Sequence, residues 1–496
     1  MAPLPATGVT PTPLRDLHLN YTSRTADEAA RIAAVTAPPK NFDAPSQFEA
    51  LPAGAATVPI RRDKNVLSEP VRTLPLGAGL DFRVGRGTFR KIWVSSPSST
   101  LASDGLGPLY NARSCQRCHI NDGRGHAPET SGENAISFLL RVAVPDDSTA
   151  AKSAIRGHLA TRGDPTYGGQ LQDFGLPGIP AEYTLDLTYE EFAVPMAGGE
   201  VAMLRRPRYG VRDLAYGPLD PQAGLSPRVA PQMIGLGLLE AVPAADILAL
   251  ADPDDADGDG VSGRPNVVWS REFGAPMLGR FGHKAIVATL REQTAGAFSG
   301  DIGLSTTLFP DPAADCTLYQ TSCRNAPHGD TDARGVEVDD ETLDLVTFYA
   351  QNLGVPARRG HDLPEVLRGK RLFFETGCNA CHKAAFVTHR MPDRPEHSFQ
   401  LIWPYTDLLL HDMGPGLADP VAEGRASGRE WRTPPLWGIG LTARASGHTQ
   451  FLHDGRARSI LEAVLWHGGE AARHRDRVTR MTPEERRDLI AFLESL

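Results

Sequence analysis

Two short runs of cysteine and histidine are the residues of this sequence whose types and spacing could most clearly do chemistry. Each run reads Cys-x-x-Cys-His. Their chemical residues are Cys115, Cys118, His119, Cys378, Cys381 and His382. In such a run the two thiols form thioether bonds to the vinyl groups of a haem, and the histidine becomes the proximal ligand of the iron. The sequence therefore predicts two covalently bound haem c groups.

A Cys-x-x-Cys pair can also be half of a zinc site or a thioredoxin-like redox pair. Both pairs here are followed by histidine. A four-cysteine zinc site normally closes a loop of roughly 15 to 20 residues, whereas these pairs lie in different halves of the chain. We therefore favour haem over a metal or redox pair at both runs.

The elements that must position these runs are predicted to be mainly helices. Apolar residues recur at helical spacing near residues 81–93, 340–352 and 366–374 and after a capping box at Thr482. Residues 183–189 instead alternate apolar and polar, and we expect them to pair with residues 200–205 as a β-hairpin over one face of the first half. The predicted fold is mainly α, with two cytochrome c-like haem domains, the first enlarged by long insertions that include this hairpin.

At 496 residues the chain is too long for one small domain, since domains average about 150 residues. We divide the chain into an extended N-terminal arm at residues 1–45, an N-terminal haem domain at 46–354 and a C-terminal haem domain at 355–496. The arm is rich in Pro, Ala and Thr. Residues 354–364 contain prolines and charges and are the expected linker.

Further segments repeat between the halves. Residues 230–238 align with residues 433–441, and each segment is followed by Gly-Arg and a helix-like run, beginning at Leu290 or Ile460. This common order indicates a duplicated haem-binding unit.

The repeat also suggests where the distal side of each iron should be sought. The helix after Gly-Arg in the second half offers His467, whose imidazole is a residue type that can ligate haem iron. The first half offers Gln293 and Asp301, neither of which is a good ligand for haem iron. The two haems are therefore expected to differ on their distal sides.

Composition argues against two classes of partner. The net charge is −9 and no dense run of Lys and Arg occurs, which argues against nucleic acid. No stretch approaches the 18 or more apolar residues that cross a bilayer, so we expect no membrane span.

The expected compartment follows from the haem motifs. Attachment of this kind occurs outside the cytoplasm, so we expect a periplasmic protein. The first residues do not resemble an export signal, and we expect that one was removed or replaced. In an oxidising compartment Cys316 and Cys323 should form a disulfide, the alternative being free thiols.

An acidic stretch resembles the first half of a calcium loop. Asp255, Asp257 and Asp259 supply oxygen ligands at alternate positions, and glycine stands at the turn. The usual glutamate at loop position twelve is replaced by Asn266. Calcium is therefore a candidate cofactor, with an acidic surface turn as the alternative.

Several longer motifs carry a family resemblance. Residues 432–436 read Arg-Thr-Pro-Pro-Leu, residues 451–455 read Phe-Leu-His-Asp-Gly and residues 460–464 read Ile-Leu-Glu-Ala-Val. These resemble the second domain of the bacterial di-haem cytochrome c peroxidase and MauG-like superfamily. Within it, supporting stretches at 167–174, 408–414 and 467–471 make the chain most similar to the di-haem oxidoreductase family, from about residue 75 to the C-terminus.

The resemblance implies roles for individual residues. His467 matches the position of the sixth ligand of the second haem, with Met413 as the rival ligand. Gln293 falls on the position of a distal glutamine, but Gly303 occupies the position of the distal glutamate, and Asp301 is the nearby candidate for acid/base work.

The function implied is a periplasmic, peroxidase-like oxidoreductase. Hydrogen peroxide would react at the N-terminal haem, and electrons would pass through a C-terminal bis-histidine haem. The electron donor or substrate is not readable from the sequence and could be a small redox protein. The alternatives are a pure di-haem electron carrier and a di-haem oxygenase that uses dioxygen on an organic substrate.

Overall fold

The computed structural model describes residues 14–134, 136–145, 161–329 and 335–496. Roughly 29% of the chain is helical and 18% is in strands. Helices therefore prevail, as predicted, but the strand content exceeds a single hairpin. Most strands lie between residues 109 and 278, so the insertions of the first half account for the difference.

The four longest helices in the described ranges are the four that apolar periodicity predicts: Gly79–Arg90, Asp340–Gln351, Pro364–Thr376 and Pro483–Ser495. The capping box at Thr482 is formed with Glu485. The other α-helices within these ranges are Ala26–Thr36, Cys115–Cys118, Leu236–Glu240, Ala244–Leu248, Leu290–Ala297, Thr321–Arg324, Thr442–Ser446, Ile460–Leu465 and Ala472–Arg480. None of the helices in these ranges has both the length and the apolar character needed to cross a bilayer.

In each half, the helix that precedes the haem motif packs on the helix that closes the half through a glycine. A Cβ atom on Gly85 would lie 2.1 Å from the Leu345 carbonyl oxygen, and one on Gly369 would lie 1.9 Å from that of Asp488. Any side chain at these positions would push the two helices apart. Glycine therefore sets the close approach of both helix pairs.

A phenylalanine four residues after each glycine joins these helix pairs to the haem motifs. The Phe89 ring centroid lies 6.2 Å from that of His119, and the Phe373 centroid lies 6.4 Å from that of His382. The distance to a ring of the closing helix is 5.2 Å in both halves, for the pairs Phe89–Tyr349 and Phe373–Phe492. This repeated arrangement supports the duplication inferred from the sequence.

The largest sheet is built around the strand Phe138–Pro145. Alternate side chains of this strand, beginning with Phe138 and Leu140, are buried, as the two-residue period of a strand requires. Its antiparallel neighbours are Gly224–Val229, Gln170–Leu171 and Thr161–Arg162. The short two-stranded sheets are Leu109–Tyr110 with Phe174–Gly175, Val267–Ser270 with Ala275–Leu278, Phe386–Val387 with Leu401–Ile402, and Leu410–Asp412 with Glu430–Arg432.

The predicted hairpin is confirmed, but its register differs from the prediction. Thr184–Pro195 and Val201–Arg212 run antiparallel, with Tyr189 opposite Pro207. Residues 184–189 therefore pair with 207–212 and not with 200–205. The reason is that both strands continue to a tight turn, in which the Met196 N–H donates to the Glu200 carbonyl at 2.8 Å.

The hairpin contacts both halves of the chain, not only the first. Near its base, Leu185 packs with the large sheet. Towards its tip, the Phe192 ring meets the Trp466 ring edge-on at 5.5 Å, and the Arg458 guanidinium donates to the Met203 carbonyl at 2.5 Å. The tip therefore reaches the segment that carries His467.

The predicted extended arm contains a helix, Ala26–Thr36, which corrects the expectation for its described part. Thr25 and Glu28 form a capping box at the helix start, and this local signal outweighs the composition of the arm. Asp16 anchors the preceding segment, since it is buried and pairs with Arg280 and, at 2.9 Å, with His389. The domain boundaries themselves remain a prediction.

The two repeated apolar segments lie side by side. The Trp437 ring lies against Gly235, and Ile234 lies against Gly438. The Gln232 amide also donates to the Trp437 carbonyl at 2.5 Å. Because aligned positions exchange equivalent glycine contacts, the two repeated segments pack on each other in a reciprocal way.

The predicted disulfide between Cys316 and Cys323 is confirmed. Both cysteines are buried and pack with Leu109 and Ala313. The disulfide therefore fixes a loop beside the strand that leads into the first haem motif.

Candidate haem-binding sites

Both Cys-x-x-Cys-His runs fold into the same turn. In each, the histidine N–H donates to the carbonyl of the first cysteine at 3.0 Å, in His119 to Cys115 and in His382 to Cys378. This places both thiols and the imidazole on one side of the turn. None of the four cysteines of these runs forms a disulfide bond: Cys115, Cys118, Cys378 and Cys381.

His119 is held in the form that can bind iron. Its Nδ1 lies 2.7 Å from the Pro231 carbonyl oxygen, so Nδ1 carries the hydrogen and Nε2 is left as the ligand atom. Burial lowers the pKa of His119 to about 4, which keeps the ring neutral. Pro231 belongs to the first repeated segment, so that segment has a direct role in orienting the ligand.

His382 has an equivalent support from a different segment. Its Nδ1 lies 3.0 Å from the Tyr405 carbonyl oxygen, and burial lowers its pKa to about 4. Sequence reasoning missed Tyr405, because a backbone carbonyl leaves no signature in residue type.

His467 faces His382 across the second site. Its Nδ1 lies 2.8 Å from the Ala463 carbonyl oxygen, so its Nε2 is also free. The two ring centroids are 6.4 Å apart. Two metal–nitrogen bonds of about 2.0 Å each, with the half-widths of both rings, account for roughly this separation. The residues present therefore fit a haem held between two imidazoles and attached at Cys378 and Cys381.

Met413, the rival ligand, is placed elsewhere. It packs into an apolar cluster with Leu204, Leu465 and Trp466 beneath the hairpin. The geometry thus favours His467 over Met413 as the partner of His382.

Asp301 lies beside the first site. Its charge is one of the causes that raise the pKa of the Cys115 and Cys118 thiols, after burial. Burial also raises the pKa of Asp301 itself, against the effect of Gln170, whose amide donates to its carboxylate at 2.9 Å. A carboxyl group that is held in place and readily protonated can move a proton at a bound ligand.

Gln293 lies on the helix Leu290–Ala297, and Asp301 lies in the π-helical turn Phe298–Ile302 that continues it. Eight positions along a helix correspond to roughly 12 Å, so the two side chains begin on different turns. The structure brings Asp301 together with Gln170, not with Gln293. π-Helical turns of this kind are frequent at functional sites.

Asp173 is a second carboxyl group near the first site, and sequence reasoning missed it. Burial raises its pKa to about 7, against a hydrogen bond of 3.0 Å from the Asn111 amide. Asn111 in turn accepts a hydrogen bond of 2.7 Å from Gln170. Asp173 and Asp301 are thereby linked through two amides. The available signal was the stretch 167–174, which supplies Gln170 and Asp173.

Asp173 also lines a small cavity of about 180 Å³ together with Glu133, Asn134, Phe138, Tyr183 and other residues of the hairpin base. Asp173 is also one of the charges that raise the pKa of the Cys118 thiol, after burial. The cavity therefore shares Asp173 with the surroundings of the first haem motif.

His411 is a further residue at the second site that sequence reasoning missed. Its Nε2 lies 2.8 Å from Asp407, and its Nδ1 lies 2.8 Å from Glu470 and 3.4 Å from the Cys381 Sγ. Burial opposes a charge on this ring, but Asp407 and Cys381 raise the pKa of His411 well above its ordinary value. His411 and Glu470 belong to two of the stretches that carry the family resemblance, 408–414 and 467–471, and these stretches contact each other in the structure.

In the acidic loop, the three carboxylates that lie together are not the three that the sequence predicts as calcium ligands. Asp252, Asp255 and Asp257 bring carboxylate oxygens within 4.8 Å of one another. Asp259 instead accepts from the Val261 N–H at 2.8 Å. The grouped carboxylates also accept hydrogen bonds from backbone N–H groups of their own loop. The turn therefore has a structural explanation without a cation, and calcium remains a prediction.

Comparison with known proteins gives the chain its relatives. The family model described as "Di-haem oxidoreductase, putative peroxidase" matches residues 76–496. Methylamine utilization protein MauG of Methylorubrum extorquens is 31% identical over 157 residues, which are 29% of this chain and 35% of that protein. The match thus spans about a third of the length of this curated relative.

A chain of hydrazine synthase from Kuenenia stuttgartiensis, solved under xenon pressure, is 18% identical over 37% of this chain and 63% of that one. Its TM-score is 0.22, which is too low to define a shared fold. The family model, in contrast, covers both haem motifs, the repeated segments and the closing helices. The chain therefore belongs to the di-haem oxidoreductase family.

Proposed function

We propose that this protein is a periplasmic di-haem c-type oxidoreductase of the peroxidase type. Family membership supports a di-haem redox function. The finer proposal is that hydrogen peroxide reacts at the site of His119 and that the site of His382 and His467 passes or stores electrons. The observation that carries it is the 6.4 Å separation of the His382 and His467 rings, set against a first site that has the carboxyl group of Asp301.

When bound, the haem of the first site would supply an iron with a free position for peroxide. His119 would hold it from the proximal side, kept neutral by burial and oriented by Pro231. On the distal side, Asp301 would accept a proton from one peroxide oxygen and return it to the other, which favours heterolytic cleavage of the O–O bond. Gln170 holds that carboxylate in place, and the Gln293 amide would orient the peroxide.

At the second site, two neutral imidazoles would leave the iron with no position for peroxide. Both rings are fixed through Nδ1 by backbone carbonyls, so exchange of either ligand would require movement of the chain. A closed site of this kind suits electron transfer.

The periplasmic location is supported by the disulfide between Cys316 and Cys323, since such bonds persist in oxidising compartments. Calcium in the acidic loop is a further proposal: the predicted ligands are Asp255, Asp257 and Asp259, and the carboxylates that lie together are those of Asp252, Asp255 and Asp257. The reducing partner is a small redox protein, a protein side chain or a small organic molecule.

The test is rapid mixing of the ferric holoprotein with hydrogen peroxide. A fast spectral change confined to one haem, with peroxide consumed when a reductant is present, is the expected result. No reaction at either haem would contradict the proposal and favour an electron carrier. Dioxygen uptake with an organic substrate, without a reaction with peroxide, would favour the oxygenase.

A further inference from the structure

A buried ionic network lies against the attachment side of the second site. Both ring nitrogens of His411 face a carboxylate oxygen at 2.8 Å, one from Asp407 and one from Glu470. A carboxylate can only accept, so both nitrogens must carry a hydrogen, and His411 is an imidazolium. His411 and Asp407 are each 2% exposed, so their charges act with little screening by solvent.

The network connects two segments of the second site. On the attachment side, the His411 Nδ1 lies 3.4 Å from the Cys381 Sγ. Glu470 lies three residues beyond His467 in the chain. Glu470 is itself held by the Ser262 hydroxyl at 2.5 Å and by the Asp412 N–H at 3.2 Å. The network thus ties the attachment turn and the distal ligand segment to a fixed set of charges.

At the first site the group in contact with the matching sulfur is a neutral carbonyl, although the charge of Asp301 also acts on that thiol. The Cys118 Sγ lies 3.1 Å from the Ile136 carbonyl oxygen, where Cys381 meets an imidazolium between two carboxylates. The two attachment turns are alike, so this contact is a difference in electrostatic surroundings and not in backbone shape.

We propose that the Asp407–His411–Glu470 network is a charge-setting and positioning device of the second site, and that its two carboxylates lower the reduction potential of the haem attached at Cys381. The inference rests on the proposed function, in that it requires a haem between His382 and His467. Negative charge near a haem stabilises the ferric state, and removal of one such charge stabilises the ferrous state. Arg432 and Lys383 also lie within electrostatic range of Asp407, but their charges are unchanged when a carboxylate of the network is replaced.

The test is a potentiometric titration of the holoprotein in which the visible spectrum of each haem is followed. Glu470→Gln and Asp407→Asn each remove one negative charge while keeping the size of the side chain. We expect the midpoint potential of the second haem to rise in both variants, its low-spin spectrum to persist, and the potential of the first haem to stay unchanged.

Two variants are needed because Glu470 also anchors Ser262, whereas Asp407→Asn leaves that anchor intact. Glu430→Gln is the matched control: Glu430 is a buried carboxylate that lines the same cleft as Glu470 but pairs with Arg264 at 3.5 Å. A second-haem potential that does not change in either variant, or that rises equally in the control, would overturn the inference.

The haem content of the wild-type protein separates this inference from the proposed function. Two attached haems with a low-spin second spectrum but unaltered potentials would overturn only the role of the network. A protein without a low-spin, bis-imidazole haem at Cys381 would instead overturn the proposed function on which the inference rests.

Discussion

The two haem-binding sites have the same turn and different surroundings. Both histidines are bonded through Nδ1 to a backbone carbonyl and stand near a phenylalanine from the preceding helix. At the second site, the His467 ring lies opposite His382 and a charged network lies beside Cys381. At the first site, Asp301 and its amide partners lie near Cys115 and Cys118. The comparison teaches that like motifs can lie in unlike surroundings, and the proposed difference in function between the two sites rests on those surroundings, which distant segments supply.

Removal of one haem at a time is the strongest way to break this comparison. Cys115→Ala with Cys118→Ala should abolish the reaction with peroxide and leave a single low-spin haem. Cys378→Ala with Cys381→Ala should leave a protein whose single haem is the peroxide-reactive one. Mass spectrometry and haem staining of denatured protein would count the attached groups, and retention of two haems in either double variant would refute covalent attachment at that motif.

Replacement of the distal ligand should convert the second site into one like the first. His467→Ala removes the imidazole opposite His382, so the low-spin signal of that haem should become high-spin, as read by visible and electron paramagnetic resonance spectroscopy. Met413→Leu is the control and should leave the signal unchanged. The assignment fails if Met413→Leu, and not His467→Ala, alters the spectrum.

Asp301→Asn should slow the reaction with peroxide by about 10² to 10⁴-fold, the usual contribution of a proton-transferring group. Burial raises the pKa of Asp301, so the carboxyl group keeps its proton to a higher pH than an exposed aspartate. A step that needs the carboxylate should therefore speed up as pH rises through this raised pKa, and the asparagine variant should lose that rise.

The control for Asp301 is Glu292→Gln, which alters a buried carboxylate on the same helical run that is bonded to Ser270 at 2.9 Å. Stopped-flow measurement across pH would compare the variants. Equal rates and equal pH profiles for Asp301→Asn and the wild type would exclude Asp301 from the proton transfer.

Substitution of the buried glycine should destabilise both helix pairs to a similar extent, because the pairs are equivalent in the two halves. Gly85→Ala and Gly369→Ala each place a methyl group against a carbonyl of the closing helix, which should cost about 1–3 kcal/mol of unfolding free energy. Gly87 lies in the same helix as Gly85, and a methyl group at this position would contact no other residue. Gly87→Ala should therefore stabilise the helix by up to about 1 kcal/mol. Thermal unfolding would measure all three, and a loss of stability at only one of the two buried glycines would argue against equivalent helix pairs.

The sequence was informative wherever a signal is local or periodic. The Cys-x-x-Cys-His runs, the four long helices, the hairpin and the disulfide between Cys316 and Cys323 are of this kind. The repeat also directed attention to His467, which the structure places opposite His382. Its role as an iron ligand remains a prediction.

Other features depend on residues that meet only in the folded chain. Asp407 and Glu470 are 63 positions apart and become partners through His411. Gln170 reaches Asp301 from a strand far away in the sequence. The hairpin register differs from the prediction because alternating apolar and polar residues indicate which face of the strand each side chain lies on. They do not indicate which residue of the other strand lies opposite. The shared glycine and phenylalanine spacing of the two helices was visible in the sequence, but its meaning required the packing.

The most direct test of the difference between the sites is electron paramagnetic resonance spectroscopy of the ferric holoprotein before and after one equivalent of hydrogen peroxide. One high-spin and one low-spin haem in equal amounts, with the high-spin signal lost first, is the predicted result. Two low-spin haems that peroxide leaves unchanged would contradict an open first site and a closed second one.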